Sequence, residues 1–270
     1  MELTAVCDVD KNLRFAFEGW SNAAEENKMP VKSTRIYEDV GRMMTEAKPE
    51  AVIISTPVET HAEIACDVAK HGSVKAVLLE KPIAGSVEDA ERIVRTYRNY
   101  KVKLLVNHQR RWHVAWRKAY TLIRELGGCY HMVGLSNGDP LDAGSHMAHL
   151  FLDLAPKAEY TYVDLRHTSY PLYHPYIMFD VHAFCKDGRV SVTGNGTTIA
   201  AGASAKTENY RDLREVEFGD LYTCDYAEES VNSQLGAVAE LRDLASNKRS
   251  RPSVSGSLAM KALEMCLIWR

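Results

Sequence analysis

Apolar runs and polar turn residues alternate along the first hundred positions with the rhythm of strand and helix. Leu3–Cys7, Ala51–Ile54, Ala76–Leu79 and Lys103–Asn107 read as strands. Near-continuous aliphatics are the mark of a strand buried on both faces. Between them, Lys11–Glu26, Asp39–Ala47, His61–His71 and Ser86–Asn99 are predicted helices; Ile64, Ala65, Val68 and Ala69 recur at helical spacing, and Gly72 ends that segment. Ser86 followed by Asp89 resembles an N-cap with an acidic first turn. The polar stretch around Pro30 is a predicted loop. Such alternation predicts a doubly wound parallel sheet over residues 1–107.

Beyond residue 107 the pattern changes. A helix is predicted from Val114 to Leu126, stopped by Gly127-Gly128, and Cys129–Leu135 alternates like a strand. A loop at Asn137–Pro140 leads to a helix over Gly144–Leu154. Tyr160–Arg166, Ile177–Cys185, Val190–Thr193 and Glu215–Phe218 read as strands, with turns at Asp187-Gly188 and Asn195-Gly196. Consecutive strands without crossover helices predict a mostly antiparallel open sheet. Val231, Leu235, Val238, Leu241 and Leu244 mark one face of a helix, and Leu258–Leu267 forms another. Residues 108–270 are thus a predicted α+β domain, whose last helices are free to pack on the first domain.

Composition narrows the function classes. A formal net charge of −3 with no basic run leaves no electrostatic footprint for nucleic acid or an anionic membrane. Cysteines at 7, 66, 129, 185, 224 and 266 form no Cys-x-x-Cys pair, which suits a reducing compartment. No apolar run reaches the ~18 residues of a membrane span, and no basic-then-apolar leader opens the chain. The expectation is a cytoplasmic protein.

Chemistry concentrates where strands end. Ala76–Leu79 runs into Glu80-Lys81-Pro82, and Ala51–Ile54 into Ser55-Thr56-Pro57, with His61 at the start of the next helix. In an open α/β sheet the carboxyl ends of strands face the ligand crevice. Lys81 is placed there like a reagent, although a lone lysine is more commonly solvated. Asp142 and His146 stand four residues apart, so a helix puts them on one face. An imidazole titrates near neutrality and suits a general acid/base; the alternative is a helix-capping aspartate and a partly buried histidine. His146 and His149 are spaced i and i+3, but no further ligand set accompanies them and no metal is expected.

Asp8 after the first strand, Ser55-Thr56-Pro57-x-x-x-His61, Glu80-Lys81-Pro82, Asn107-His108-Gln109-Arg110-Arg111 and Asp142-x-x-x-His146 occur in the order seen in the glucose-fructose oxidoreductase and inositol dehydrogenase (Gfo/Idh/MocA) family, which the chain resembles over nearly its whole length. The resemblance implies a Rossmann domain, an α/β domain whose open sheet forms a dimer contact, and NAD- or NADP-linked chemistry on sugars and polyols. It implies cofactor contacts from Asp8, Ser55, Thr56, Pro57, His61, Glu80, Lys81 and Pro82. Catalysis falls to Lys81, Asp142 and His146, and substrate contacts to Arg110, Arg111 and His149. Lys81 lies beside the nicotinamide and the reacting hydroxyl in the family, and His149 stands where members often carry aspartate.

Each assignment has a plainer counterpart. Asp8 resembles the acidic residue that binds the adenosine ribose and favours NAD, or is a turn or capping aspartate. Arg110 and Arg111 contact an anionic group or pair structurally at the domain junction. Trp112, Trp116 and the tyrosines at 170–176 line a sugar site or simply pack. One departure is large. No Gly-x-Gly-x-x-Gly turn precedes the first helix, as though about thirty residues of the opening unit were missing. Cofactor binding is then expected to be weak or lost, and apolar surface left exposed needs a cover such as a partner subunit. The leading expectation is an NAD(P)-dependent dehydrogenase or reductase acting on a sugar or polyol carbinol, as a dimer or larger homo-oligomer. A non-catalytic binding or assembly subunit and an NAD-dependent glycosidase are the alternatives.

Overall fold

A computed structural model describes residues 2–26, 34–156, 178–207 and 214–268. The chain divides into two compact units, one of Met1–Glu80, Ala84–Leu105 and Ala239–Gly256, the other of Lys81–Ile83, Val106–Val238 and Ser257–Arg270.

In the first unit, strands β1 (Ala5–Cys7), β2 (Arg35–Tyr37), β3 (Ala51–Ile54), β4 (Ala76–Leu79) and β5 (Lys103–Val106) alternate with helices α1 (Lys11–Glu26), α2 (Val40–Ala47), α3 (Val58–Lys70) and α4 (Val87–Tyr100). The strands form two sheets, a parallel β1-β2 pair and a three-stranded sheet in the order β3-β4-β5 with β3 and β4 parallel. All four residues of β4 are buried, as its unbroken aliphatic run requires. The helices start where capping chemistry allows. The Asp39 carboxylate accepts from Arg42 N at 2.6 Å and Ser86 Oγ from Asp89 N at 3.2 Å. Strand β2 was not among the predicted elements, because only Tyr37 of its three residues is buried and the pattern is too short to read. Leu13 and Phe15 of α1 and Ile53 of β3 are exposed apolar side chains.

In the second unit, β6 (Cys129–Ser136), β7 (Phe179–Cys185), β8 (Gly188–Thr193), β9 (Thr198–Lys206), β10 (Arg214–Val216) and β11 (Gly219–Thr223) form one antiparallel sheet in the order β10-β9-β8-β7-β6, with β11 also on β9. One face alternates Phe179, Val181, Ala183, Val190, Val192 and Ile199 into a core covered by α5 (Val114–Glu125) and α6 (Ser145–Leu154). Gly134 lets α6 come close to β6. A Cβ on it would collide with the Met147 sulfur and lie 2.8 Å from the Phe151 ring. Strand β9 was also not predicted: its run of Ala, Gly and Ser lacks the branched side chains by which strands are recognised. The predicted strand at Tyr160–Arg166 and the tyrosines at 170–176 lie outside the described residues.

Helix α7 (Tyr226–Ala245) corrects the expected apolar face. Val231 and Leu235 are about 60% exposed, whereas Ser233, Ala237, Leu241 and Leu244 are buried. Toward the start of the helix small side chains, Ser233 and Ala237, form the packed stripe, and the expected Leu241 and Leu244 continue it. Within the first unit, the Lys103 ammonium caps the helix end, donating to the Leu244 carbonyl at 2.7 Å and to Asn247 Oδ1 at 2.7 Å. In the second unit, α8 (Gly256–Ile268) packs Ala262 and Cys266 on Ala148. Among the described residues no helix is long and apolar enough to cross a membrane.

Candidate active site

The expected cofactor residues lie at the carboxyl ends of strands in the first unit. Asp8 follows β1 and accepts a hydrogen bond from Asp10 N on Oδ1 at 2.8 Å, while Arg14 ties the adjoining carbonyls of Asp8 and Val9. The carboxylate therefore shapes its own turn through Oδ1. Ser55, Thr56 and Pro57 form the turn after β3. His61 is 1% exposed, and its Nε2 hydrogen bonds the Thr56 carbonyl at 2.8 Å, so it braces that turn from behind. Glu80 follows β4, its N–H bonded to the Ile54 carbonyl at 2.9 Å. An acidic acceptor after β1 and a braced polar turn after β3 are groups of the kind that suit the ribose and nicotinamide sides of a dinucleotide. Residues 1–107 contain no Gly-x-Gly-x-x-Gly to take its pyrophosphate.

The expected catalytic residues converge within the second unit. Lys81, joined to Pro82 by a cis peptide bond, forms an ion pair with Asp142; the lysine side chain is 18% exposed and the carboxylate 74%. Asp142 was expected on a regular helix, able to orient the His146 ring. It sits instead in a wide π-type turn, Pro140–Gly144, and its carboxylate goes to Lys81. Such turns re-aim side chains and recur at functional sites. Asp139 starts the turn by accepting from Leu141 N at 2.7 Å, and Ser145 Oγ donates to the Asp142 carbonyl at 2.9 Å.

Helix α6 then presents His146 and His149, 6% and 0% exposed. His108, at the end of β5, stacks on His149 with ring centroids 4.5 Å apart and meets His146 edge-on at 5.6 Å. Burial, then the positive charge of Arg110, holds His146 well below the ordinary imidazole range, with His108, Lys81 and His149 adding to the effect. His108 is lowered in the same way by burial and by His149, and His149 falls to about 3 through burial and Arg111. All three rings are neutral near pH 7. His146 Nδ1, His108 Nδ1 and both nitrogens of His149 are buried without a hydrogen-bond partner. Unsatisfied buried nitrogens in such number mark a site built for something other than packing. Among the described residues no group of three His, Cys, Asp or Glu side chains is arranged to hold a metal ion.

The two arginines separate. Arg111 pairs with Asp153 at 3.5 Å, a structural role. Arg110 lies with its guanidinium 3.7 Å from the centroid of the Phe179 ring and donates to Asn195 Oδ1 at 2.6 Å. His108 and Asn195 were not singled out from sequence as site residues. His108 lies inside the Asn107–Arg111 motif, while Asn195 was read only as part of a turn between strands.

Residues 1–108 match the model of an oxidoreductase family with an NAD-binding Rossmann fold. Over that stretch the chain is similar to the Gfo/Idh/MocA oxidoreductases. A protein described as glycosyl hydrolase family 109 protein 1, from Akkermansia muciniphila, is 33% identical over 101 residues; the match spans 35% of this chain and only 19% of that relative's length. The oxidoreductase domain protein of Kribbella flavida superposes with a TM-score of 0.73 at 15% identity, over 98% of this chain and 86% of that one. The WlbA dehydrogenase of Bordetella pertussis, solved with NADH and UDP-GlcNAcA, gives a TM-score of 0.68 at 17% identity, over 98% and 86% of the two chains. These two likenesses show that the chain shares the fold of those proteins.

Proposed function

We propose that this chain transfers a hydride between NAD(P) and the carbinol carbon of a sugar or polyol. The observation that carries the reading is the Lys81–Asp142 ion pair in the same unit as a buried, neutral His146. A neutral imidazole is ready to take the hydroxyl proton as the carbinol is oxidised, and to return it in reduction. The Lys81 ammonium, held by Asp142, favours the developing alkoxide and positions the hydroxyl. Asp8, Ser55, Thr56, Pro57, His61, Glu80, Lys81 and Pro82 would hold the cofactor, whose nicotinamide supplies the hydride acceptor when bound. The acidic Asp8 favours NAD, because a carboxylate accepts from ribose hydroxyls and repels a 2′-phosphate.

The test is NADH formation across a panel of sugars and polyols, paired with calorimetric titration of NAD. Turnover that disappears in His146→Ala while NAD binding persists is the expected result. Turnover unchanged by that substitution overturns the assignment.

The similarity to a family 109 glycosyl hydrolase supports a second reading, an NAD-dependent glycosidase in which oxidation at carbon is transient. Release of the aglycone from a nitrophenyl glycoside without net NADH accumulation would identify it. We also propose that the outer sheet face, where Tyr130, Val133 and Leu135 of β6 are exposed, forms a contact with a second copy of the chain.

A further inference from the structure

The second unit holds a small open cleft, its enclosed volume only about 10 Å³, lined by Gln109, Arg110, His113, Asn195, Tyr226 and Ser233, with Ser230 also in the lining. Its walls are fixed from behind. Asn107 Nδ2 donates to Gln234 Oε1 at 3.0 Å, and Gln234 Nε2 donates to Gln109 Oε1 at 2.7 Å, which locks the turn carrying Arg110 to α7. Asn195 is held at positive φ (59°) between two glycines. A Cβ on Gly196 would lie 3.1 Å from both His113 Cε1 and the Trp116 indole nitrogen, so the turn can approach those rings only as glycine.

The lining is rich in donors and holds no carboxylate. The Arg110 Nε–H is buried without an acceptor. His113 is 4% exposed; its Nδ1 accepts from Ala115 N at 3.2 Å, which puts the ring proton on Nε2, and Nε2 is likewise buried without a partner. Asn195 spends its carbonyl oxygen on Arg110, leaving its amide protons for a ligand. After burial, Arg110 feels first Tyr226, whose phenol lies in the lining itself, and then Asp142, already paired with Lys81; Glu229 acts on His113 without lining the cleft. A buried guanidinium without a carboxylate partner is costly until an anion reaches it. Arg110 also exerts the largest charge effect on His146, so an anion on Arg110 is close to the acid/base group.

We infer that this cleft is a subsite for an oxyanion, a carboxylate or phosphate, carried by the sugar whose carbinol reacts at His146. The inference rests on the sugar-oxidising reading for the identity of the carrier. The anion site itself is read from binding alone. A carboxylate or phosphate offers two oxygens to the guanidinium fork, with His113 Nε2–H and the Asn195 amide at its flank.

The experiment is calorimetric titration of the whole chain, with saturating NAD, with glucose, glucuronate and glucose 6-phosphate. Wild type should bind one of the two anionic sugars at least tenfold more tightly than glucose. Arg110→Gln should erase that preference, a loss of about 10- to 100-fold for a charge-assisted bond pair. Ser230→Asp, which adds a negative charge at the cleft without removing Arg110, should weaken the anionic sugar and spare glucose. Retention of the fold by each variant is checked by its thermal unfolding. Preference for glucuronate assigns the site to carboxylates and preference for glucose 6-phosphate to phosphates. An Arg110-dependent preference in the absence of any NADH formation sinks the dehydrogenase reading and leaves the subsite standing. Equal binding of the three sugars, no binding by any of them, or a preference that survives both substitutions overturns the subsite.

Discussion

Lys81 and Asp142, 61 residues apart in sequence, meet in an ion pair whose cation is sheltered and whose anion is exposed. The asymmetry gives the lysine a fixed position without burying the pair. Lys81→Ala is expected to lower turnover by about 100-fold or more, since it removes a charge aimed at a developing alkoxide, with little change in melting temperature. Asp142→Asn leaves the ammonium in place and should be milder. Steady-state kinetics with parallel thermal melts measures both; equal losses of stability and turnover would assign the pair to structure.

His146→Ala should cost about 100- to 10,000-fold in turnover. Because burial and Arg110 hold the ring neutral through the physiological range, the acid limb of the wild-type rate profile should lie below the ordinary imidazole value. An inflection near 6.5 that vanishes in the variant would show a ring in ordinary solvent instead.

The three buried imidazoles also set a pH dependence of stability. Their folded values are depressed below the 6.5 of an ordinary histidine, so the unfolded chain binds protons first as pH falls. Stability should thus be full above about pH 6.5 and decline below it, each ring contributing at most about 1.4 kcal/mol per pH unit. His149, lowered to about 3, acts from about pH 6.5 down to about 3. Urea melts from pH 4 to 8 should flatten in His149→Gln; an unchanged slope would remove His149 from the account.

Asp8→Ala should weaken NAD binding by about tenfold and strengthen NADP binding, because only the first cofactor offers a free 2′-hydroxyl to the carboxylate and only the second carries a 2′-phosphate that it repels. Competitive titration of the two nucleotides reads the ratio. Parallel losses would reduce Asp8 to the turn aspartate that its bond to Asp10 N already makes it.

Gly188→Ala places a Cβ against the Gly202 carbonyl of the neighbouring strand, a backbone atom that cannot swing away. Chemical denaturation should show a loss of about 1–3 kcal/mol. Gly219→Ala, with nothing within 4 Å of the added carbon, is the control and should stay within about 0.5 kcal/mol.

What could be read from sequence followed the strength of the local signal. Ala76–Leu79 was legible because four successive aliphatics have no other home than a doubly covered strand. The Ser86 cap was legible because its oxygen has one obvious donor, Asp89 N. Thr198–Lys206 was not, because its small residues are dictated by neighbours far away in sequence: a Cβ on Gly202 would collide with the Glu217 carbonyl. Nor does sequence order distinguish Arg110 from Arg111. Only the fold hands Asp153 to one and leaves the other beside Asn195 and Phe179. Val231 and Leu235 misled for the converse reason, since their helical spacing is ideal while the packed stripe of α7 runs through Ser233 and Ala237.

Gly134 touches neither sugar nor cofactor in any role given to it, yet the helix bearing His146 and His149 rests on it through Met147 and Phe151. The depth at which those imidazoles stand is therefore gauged by one absent methyl group on the strand beneath. A substituent there acts as a shim: it lifts the helix and, with it, the proton-transfer distance, without altering a single reacting group. Such a position offers a graded adjustment of reach that substitutions at His146 itself, which only remove the imidazole, do not provide.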